Sequence, residues 1–281
     1  MKEAYASVNG IKLHYVEEGS GPLVILLHGF PEFWYGWRNQ MPVLSRQYRV
    51  VAPDMRGYNL SDKPKKVSDY KVDILASDIA ELIKALGEEK AIVVGHDWGA
   101  AVAWAVAALY PERVKKLGIL NVPHPAEMKK ALMGSNWAQI KKSWYIFFFQ
   151  LPWLPEKVVG NKDFFPRTFQ RMCSNKNAVN TADIEEYRKA FSQPGAITAP
   201  INYYRATFRS LGSQPHMPKI KAPVLMLWGE QDTALGKELT YNTAAYCEQP
   251  PTIFYEPHSG HFVQHDNPTW VNEKLLAFFA Q

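Results

Sequence analysis

With 281 residues, 47% of them hydrophobic and 21% charged, the chain has an ordinary globular composition and the length of one large α/β core plus an insertion, which excludes collagen-like and low-complexity classes. Its net charge of +5 is scattered, with Lys65-Lys66, Lys129-Lys130 and Lys141-Lys142 among its few close pairs, so nucleic-acid binding, which needs cations clustered on one face, is not expected. Residues 1–10 hold no signal-type apolar run and no stretch of roughly 18 apolar residues follows, so a cytoplasmic protein with no membrane partner is expected.

Along the chain, residues 4–8 and 11–17 read as two strands joined by Asn9-Gly10, a hairpin dipeptide. Short apolar runs at 23–27, 49–52, 91–94, 117–121, 224–228 and 252–255 read as buried parallel strands. Helix patterns fall at 74–86, 100–109, 237–247 and 268–279. The first of these gathers Ile74, Ile79, Leu82, Ile83 and Leu86 near one stripe and stops at Gly87. From about 126 to 215 the strand runs vanish, aromatics crowd together and prolines punctuate short helical pieces. The expected architecture is α/β, a mostly parallel eight-stranded sheet flanked by helices. Its core is divided into 1–125 and 216–281 by an α-helical lid at 126–215. Cys173 and Cys247 have neither metal-ligand nor redox-motif spacing, and no metal or cofactor is expected.

The chemistry is concentrated at Gly95-His96-Asp97-Trp98-Gly99, between a strand and an apolar helix. Small residues there permit the sharp turn that lifts one side chain over the carboxyl edge of a sheet, the nucleophile elbow. That side chain is Asp97. A carboxylate makes an alkyl ester by displacement at saturated carbon, which points to epoxides or alkyl halides instead of esters. An aspartate can also simply cap a helix, but capping does not call for glycine on both sides of the bend.

His28-Gly29-Phe30-Pro31 follows the strand at 23–27. In this arrangement the backbone N–H groups of Phe30 and Trp98 form an oxyanion hole. Ser259-Gly260-His261-Phe262 lies after the last strand and offers a general base, His261, in preference to His258 or His265. Its orienting acid is expected in Gly229-Glu230-Gln231-Asp232, where Asp232 lies further into the loop than Glu230.

Together with His28-Gly29-Phe30-Pro31-Glu32-Phe33-Trp34-Tyr35, Asp54-Met55-Arg56-Gly57-Tyr58, Asn121-Val122-Pro123-His124-Pro125, Phe191-Ser192-Gln193-Pro194-Gly195 and Ile201-Asn202-Tyr203-Tyr204-Arg205, the chain resembles the soluble epoxide hydrolases of the α/β-hydrolase superfamily over almost its whole length. The resemblance implies conversion of a small-molecule epoxide and water to a vicinal diol through an ester on Asp97, in a monomer or homodimer. It also implies two lid tyrosines, Tyr145 and Tyr204, that donate hydrogen bonds to the epoxide oxygen, and a pocket lined by Phe30, Trp34 and Trp98. Tyr203 and Tyr204 point roughly 100° apart on a helix, so only one faces the nucleophile. Many members have a polar residue after the first tyrosine, where this chain has Ile146. The alternative is a haloalkane dehalogenase with the same nucleophile, although those enzymes usually have Asn where Phe30 stands.

Overall fold

The computed structural model describes residues 1–134, 136–210 and 217–281. Eight strands form one sheet: β1 (Lys2–Val8), β2 (Ile11–Glu18), β3 (Leu23–Leu27), β4 (Arg49–Pro53), β5 (Ala91–His96), β6 (Val114–Leu120), β7 (Val224–Gly229) and β8 (Thr252–Glu256). Their order is β1-β2-β4-β3-β5-β6-β7-β8. β1 and β2 pair antiparallel at one edge, β2 runs antiparallel to β4, and every later pairing is parallel. The edge hairpin turns at Asn9-Gly10, both with positive φ (46° and 75°), as a two-residue turn matched to strand twist requires.

The apolar runs alternate even though they read as continuous. In β3, Leu23, Ile25 and Leu27 face one core and Val24 and Leu26 the other; in β7, Val224, Met226 and Trp228 oppose Leu225 and Leu227. The first face is covered by the helices Val72–Ala85 and Trp98–Leu109, the second by Met41, Leu44 and the C-terminal helix Pro268–Ala280. With both faces dry, each buried Val, Leu or Ile contributes about 1.5–3 kcal/mol relative to exposure, and polar groups are pushed to the strand ends.

Residues 237–247 do not form the expected helix. They make two short 3₁₀ turns, Lys237–Thr240 and Thr243–Tyr246. The hydroxyls of Thr240 and Thr243 each donate to the carbonyl three residues earlier, Lys237 and Thr240 respectively (both 2.7 Å), local bonds that compete with α-helical geometry.

Between β6 and β7 the described residues carry seven helices, from Pro125–Met133 to Thr198–Arg209, and no strand. The expected lid boundary at 215 lies outside the described residues. The helix Thr181–Phe191 is tied to the core through Asp183, which pairs with Arg38 (3.0 Å), and through Tyr187, whose hydroxyl donates to Glu32 (3.2 Å). Among the described residues no helix is long and apolar enough to cross a membrane.

Candidate active site

The carboxyl ends of five strands meet in one place. Phe30 follows β3, Asp97 follows β5, Asn121 follows β6, Asp232 follows β7 and His261 follows β8. Asp97 adopts φ 48° and ψ −122°, a region a non-glycine residue occupies only where the surroundings impose it. Those surroundings are tight. A Cβ on Gly99 would stand 2.1 Å from the Leu27 carbonyl oxygen, and one on Gly95 would stand 2.3 Å from the Gly99 carbonyl. The two glycines are therefore needed for close approach, while the backbone strain falls on the aspartate between them.

Asp97 Oδ1 accepts the Phe30 N–H at 2.8 Å, and its Oδ2 lies 3.5 Å from His261 Nε2. The other imidazole nitrogen, Nδ1, is 2.8 Å from Asp232 Oδ2. Asp232 is fixed in turn by Asn121 Nδ2 (2.9 Å) and by the backbone N–H groups of Ala234 (2.7 Å) and Leu235 (2.9 Å). Trp98 N–H makes no bond to Asp97 here; it begins the helix Trp98–Leu109, whose first N–H groups lack intrahelical acceptors. Glu230 pairs with Lys237 at the surface and stays apart from His261.

Charge is balanced around the histidine. Burial favours neutral imidazole, but the Asp232 and Asp97 carboxylates outweigh it and push the His261 pKa up to about 10. Burial likewise opposes ionisation of Asp97 and Asp232, yet His261 above all holds both below the usual carboxylate range. Folding raises the His261 pKa above its unfolded value of 6.5, so the resulting stabilisation is complete below that pH and is lost as the pH climbs towards 10. The Tm, followed by circular dichroism, is expected to fall across that window in the wild type and to lose this component of the slope in His261→Gln.

Two cavities, about 480 and 280 Å³, are both lined by Asp97, Tyr145 and Tyr204. The tyrosine rings meet edge-on, 6.0 Å between centroids. Burial first, then the charge of Asp97, keeps both phenols protonated by raising their pKa values. Tyr203 is excluded from the site: its hydroxyl donates to the Arg56 carbonyl at 2.7 Å and its ring is fully buried. Phe30 lines the larger cavity and Trp98 the smaller. Trp34, expected in the pocket, lines neither. It opens a 3₁₀ turn, its N–H donates to Asp54 (3.1 Å), and its ring packs on Phe33 and Tyr35.

The other two C-terminal histidines have different surroundings. His258 is exposed, whereas His265 is buried with Nε2 2.6 Å from Glu32. Glu32 also meets His96 Nδ1 (3.1 Å), and His96 Nε2 reaches the His261 carbonyl (2.9 Å). Burial disfavours the Glu32 anion, but His265 and His96 outweigh this and hold it well below the usual range. Removing a fully buried charge strands its partners, so Glu32→Ala is expected to cost about 3–5 kcal/mol in urea unfolding.

Asn121, Glu32 and His96 carried no role in the sequence reading. The available signal was weak: His96 and Asn121 are polar residues at or just beyond the end of an apolar strand run, and Glu32 lies in the loop after another, where a buried side chain needs a partner.

The profile of the alpha/beta hydrolase fold family matches residues 22–268. Over 99% of the chain and 98% of the relative, it is 43% identical to the AB hydrolase superfamily protein YfhM of Bacillus subtilis (strain 168). It is 38% identical to human Epoxide hydrolase 4, over 97% of this chain and 77% of that protein. The crystal structure of Bacillus megaterium epoxide hydrolase in complex with an inhibitor superposes with a TM-score of 0.91 at 31% identity, covering 99% of this chain and 100% of the other.

Proposed function

The chain belongs to the epoxide hydrolases of the α/β-hydrolase superfamily, and from that premise we propose that Asp97 attacks an epoxide carbon to form an ester that is then hydrolysed to a vicinal diol. The observation that carries the reading is the shared frontage of Asp97, Tyr145 and Tyr204 on both cavities. Oδ1, already held by Phe30 N–H, becomes the ester carbonyl oxygen, and Oδ2 makes the new bond to carbon. The ring C–O bond breaks as its electron pair takes a proton from a tyrosine, since an alkoxide leaves poorly near neutral pH.

In the second half, His261 takes a proton from a water that attacks the ester carbonyl, and Asp232 holds the imidazolium that forms. Phe30 N–H stabilises the oxyanion, and Trp98 N–H, next in the elbow, turns to it as charge develops. The tetrahedral intermediate collapses as the imidazolium returns its proton to the departing alkoxide, and the acid proton left on Asp97 restores the tyrosine, so that carboxylate, phenol and diol result. None of these steps calls for a metal or cofactor. Residues 126–215 act as the lid that supplies the two phenols, with 1–125 and 216–281 as the core, in a cytoplasmic enzyme.

The test is turnover of an epoxide panel alongside a haloalkane panel. Diol release is expected, and halide release without any diol would overturn the proposal. In single turnover in ¹⁸O water the label is expected on Asp97 before it appears in the diol; the reverse order would exclude the ester. Tyr145→Phe and Tyr204→Phe are each expected to lower kcat/KM about tenfold, and the double variant roughly 10³-fold, as loss of proton delivery requires.

A further inference from the structure

Eight of the thirteen large exposed apolar side chains among the described residues lie between Met133 and Phe208, on the helical insertion. Five of them line the two cavities. Trp144, 53% exposed, lines the larger; Met133 (71%), Phe147 (48%) and Phe208 (39%) line the smaller. The short helix Trp144–Phe148 separates the openings, because Tyr145 lines both cavities, Trp144 and Phe148 only the larger, and Ile146 and Phe147 only the smaller. Trp137 and Trp153, each 69% exposed, stand on the helices to either side.

An exposed apolar surface of this extent marks a site of association, and its charges say with what. Lys129 borders the smaller cavity, and Lys142, Arg167 and Arg171 the larger. Of these only Arg167 has a carboxylate partner among the described residues, Asp163 at 3.2 Å. Tryptophans beside unpaired cations favour the interface of an anionic lipid bilayer.

We propose that this face docks on an anionic bilayer surface, without crossing it, and takes apolar epoxides from the lipid through the two openings. A symmetric contact with a second copy fits less well, because it would bring the same cations face to face and cover both openings. Read only for spanning segments, the sequence gives no sign of this surface; it exists only once the short helices are assembled. The inference rests on the epoxide reading for what is taken up. Docking itself is measured without turnover, so the two can fail separately.

The experiment is cosedimentation of the whole protein with vesicles of phosphatidylcholine alone and of equimolar phosphatidylcholine and phosphatidylglycerol. Binding to the mixed vesicles is expected to exceed binding to the neutral ones at least about tenfold and to fall as salt rises. Trp144→Ser with Phe147→Ser should reduce it by a similar factor, with unfolding midpoints confirming that each variant is folded. Lys129→Glu with Lys142→Glu, one change at an exposed and one at a half-buried position, should remove the preference for anionic vesicles, with unfolding midpoints again confirming the fold. Equal binding to both vesicles, no binding to either, or a concentration-dependent dimer that these substitutions dissociate in the absence of lipid overturns the proposal.

Discussion

Asp97→Ala is expected to abolish diol formation, with kcat reduced by a factor on the order of 10⁴ or more, because no other group is placed to make the bond to carbon. Asp232 is committed to His261, Asn121 and two backbone N–H groups and does not line either cavity, while Asp163, which lines the larger one, is paired with Arg167. The variant should also give no covalent adduct by mass spectrometry. Its unfolding midpoint is needed as a control, since alanine inherits the φ of 48°. Residual turnover within tenfold of wild type in a folded variant would mean that another nucleophile, or directly activated water, opens the ring.

His261→Gln is expected to separate the two half-reactions. In the proposed mechanism ring opening uses Asp97 and the tyrosines, so the ester should still form, while its hydrolysis, lacking a base, should slow on the order of 10⁴-fold. The intact protein then gains the entire mass of the epoxide, since opening a ring expels nothing. A haloalkane would instead add its mass less that of hydrogen halide, so the size of the adduct also discriminates between the two chemistries. No adduct with a substrate the wild type turns over, or an adduct in Asp97→Ala, would contradict the assignment.

The fold was readable because its signals are local. The Asn9-Gly10 hairpin marks the first two strands and short apolar runs mark the other six, and Gly95 through Gly99 mark the bend by composition alone. Where the sequence misled, tertiary or competing local contacts decided. Residues 237–247 have helix-like apolar spacing, but two threonine hydroxyls close tighter turns there. Trp34 belongs to the motif that contains Phe30, yet its N–H is claimed by Asp54. Asn121 gains its importance from Asp232, a residue 111 positions away, and Glu32 from His265, 233 positions away. Pairings of that kind have no period or spacing that one chain read alone can display.

The seat of His261 between two carboxylates makes its basicity follow the course of the reaction. In the resting protein both carboxylates favour the imidazolium cation over the neutral ring. In the proposed reaction, esterification converts Asp97 into a neutral group and withdraws one of the two charges favouring that cation. The proton then leaves more readily, and the freed imidazole becomes a base at the moment when there is an ester for it to help cleave.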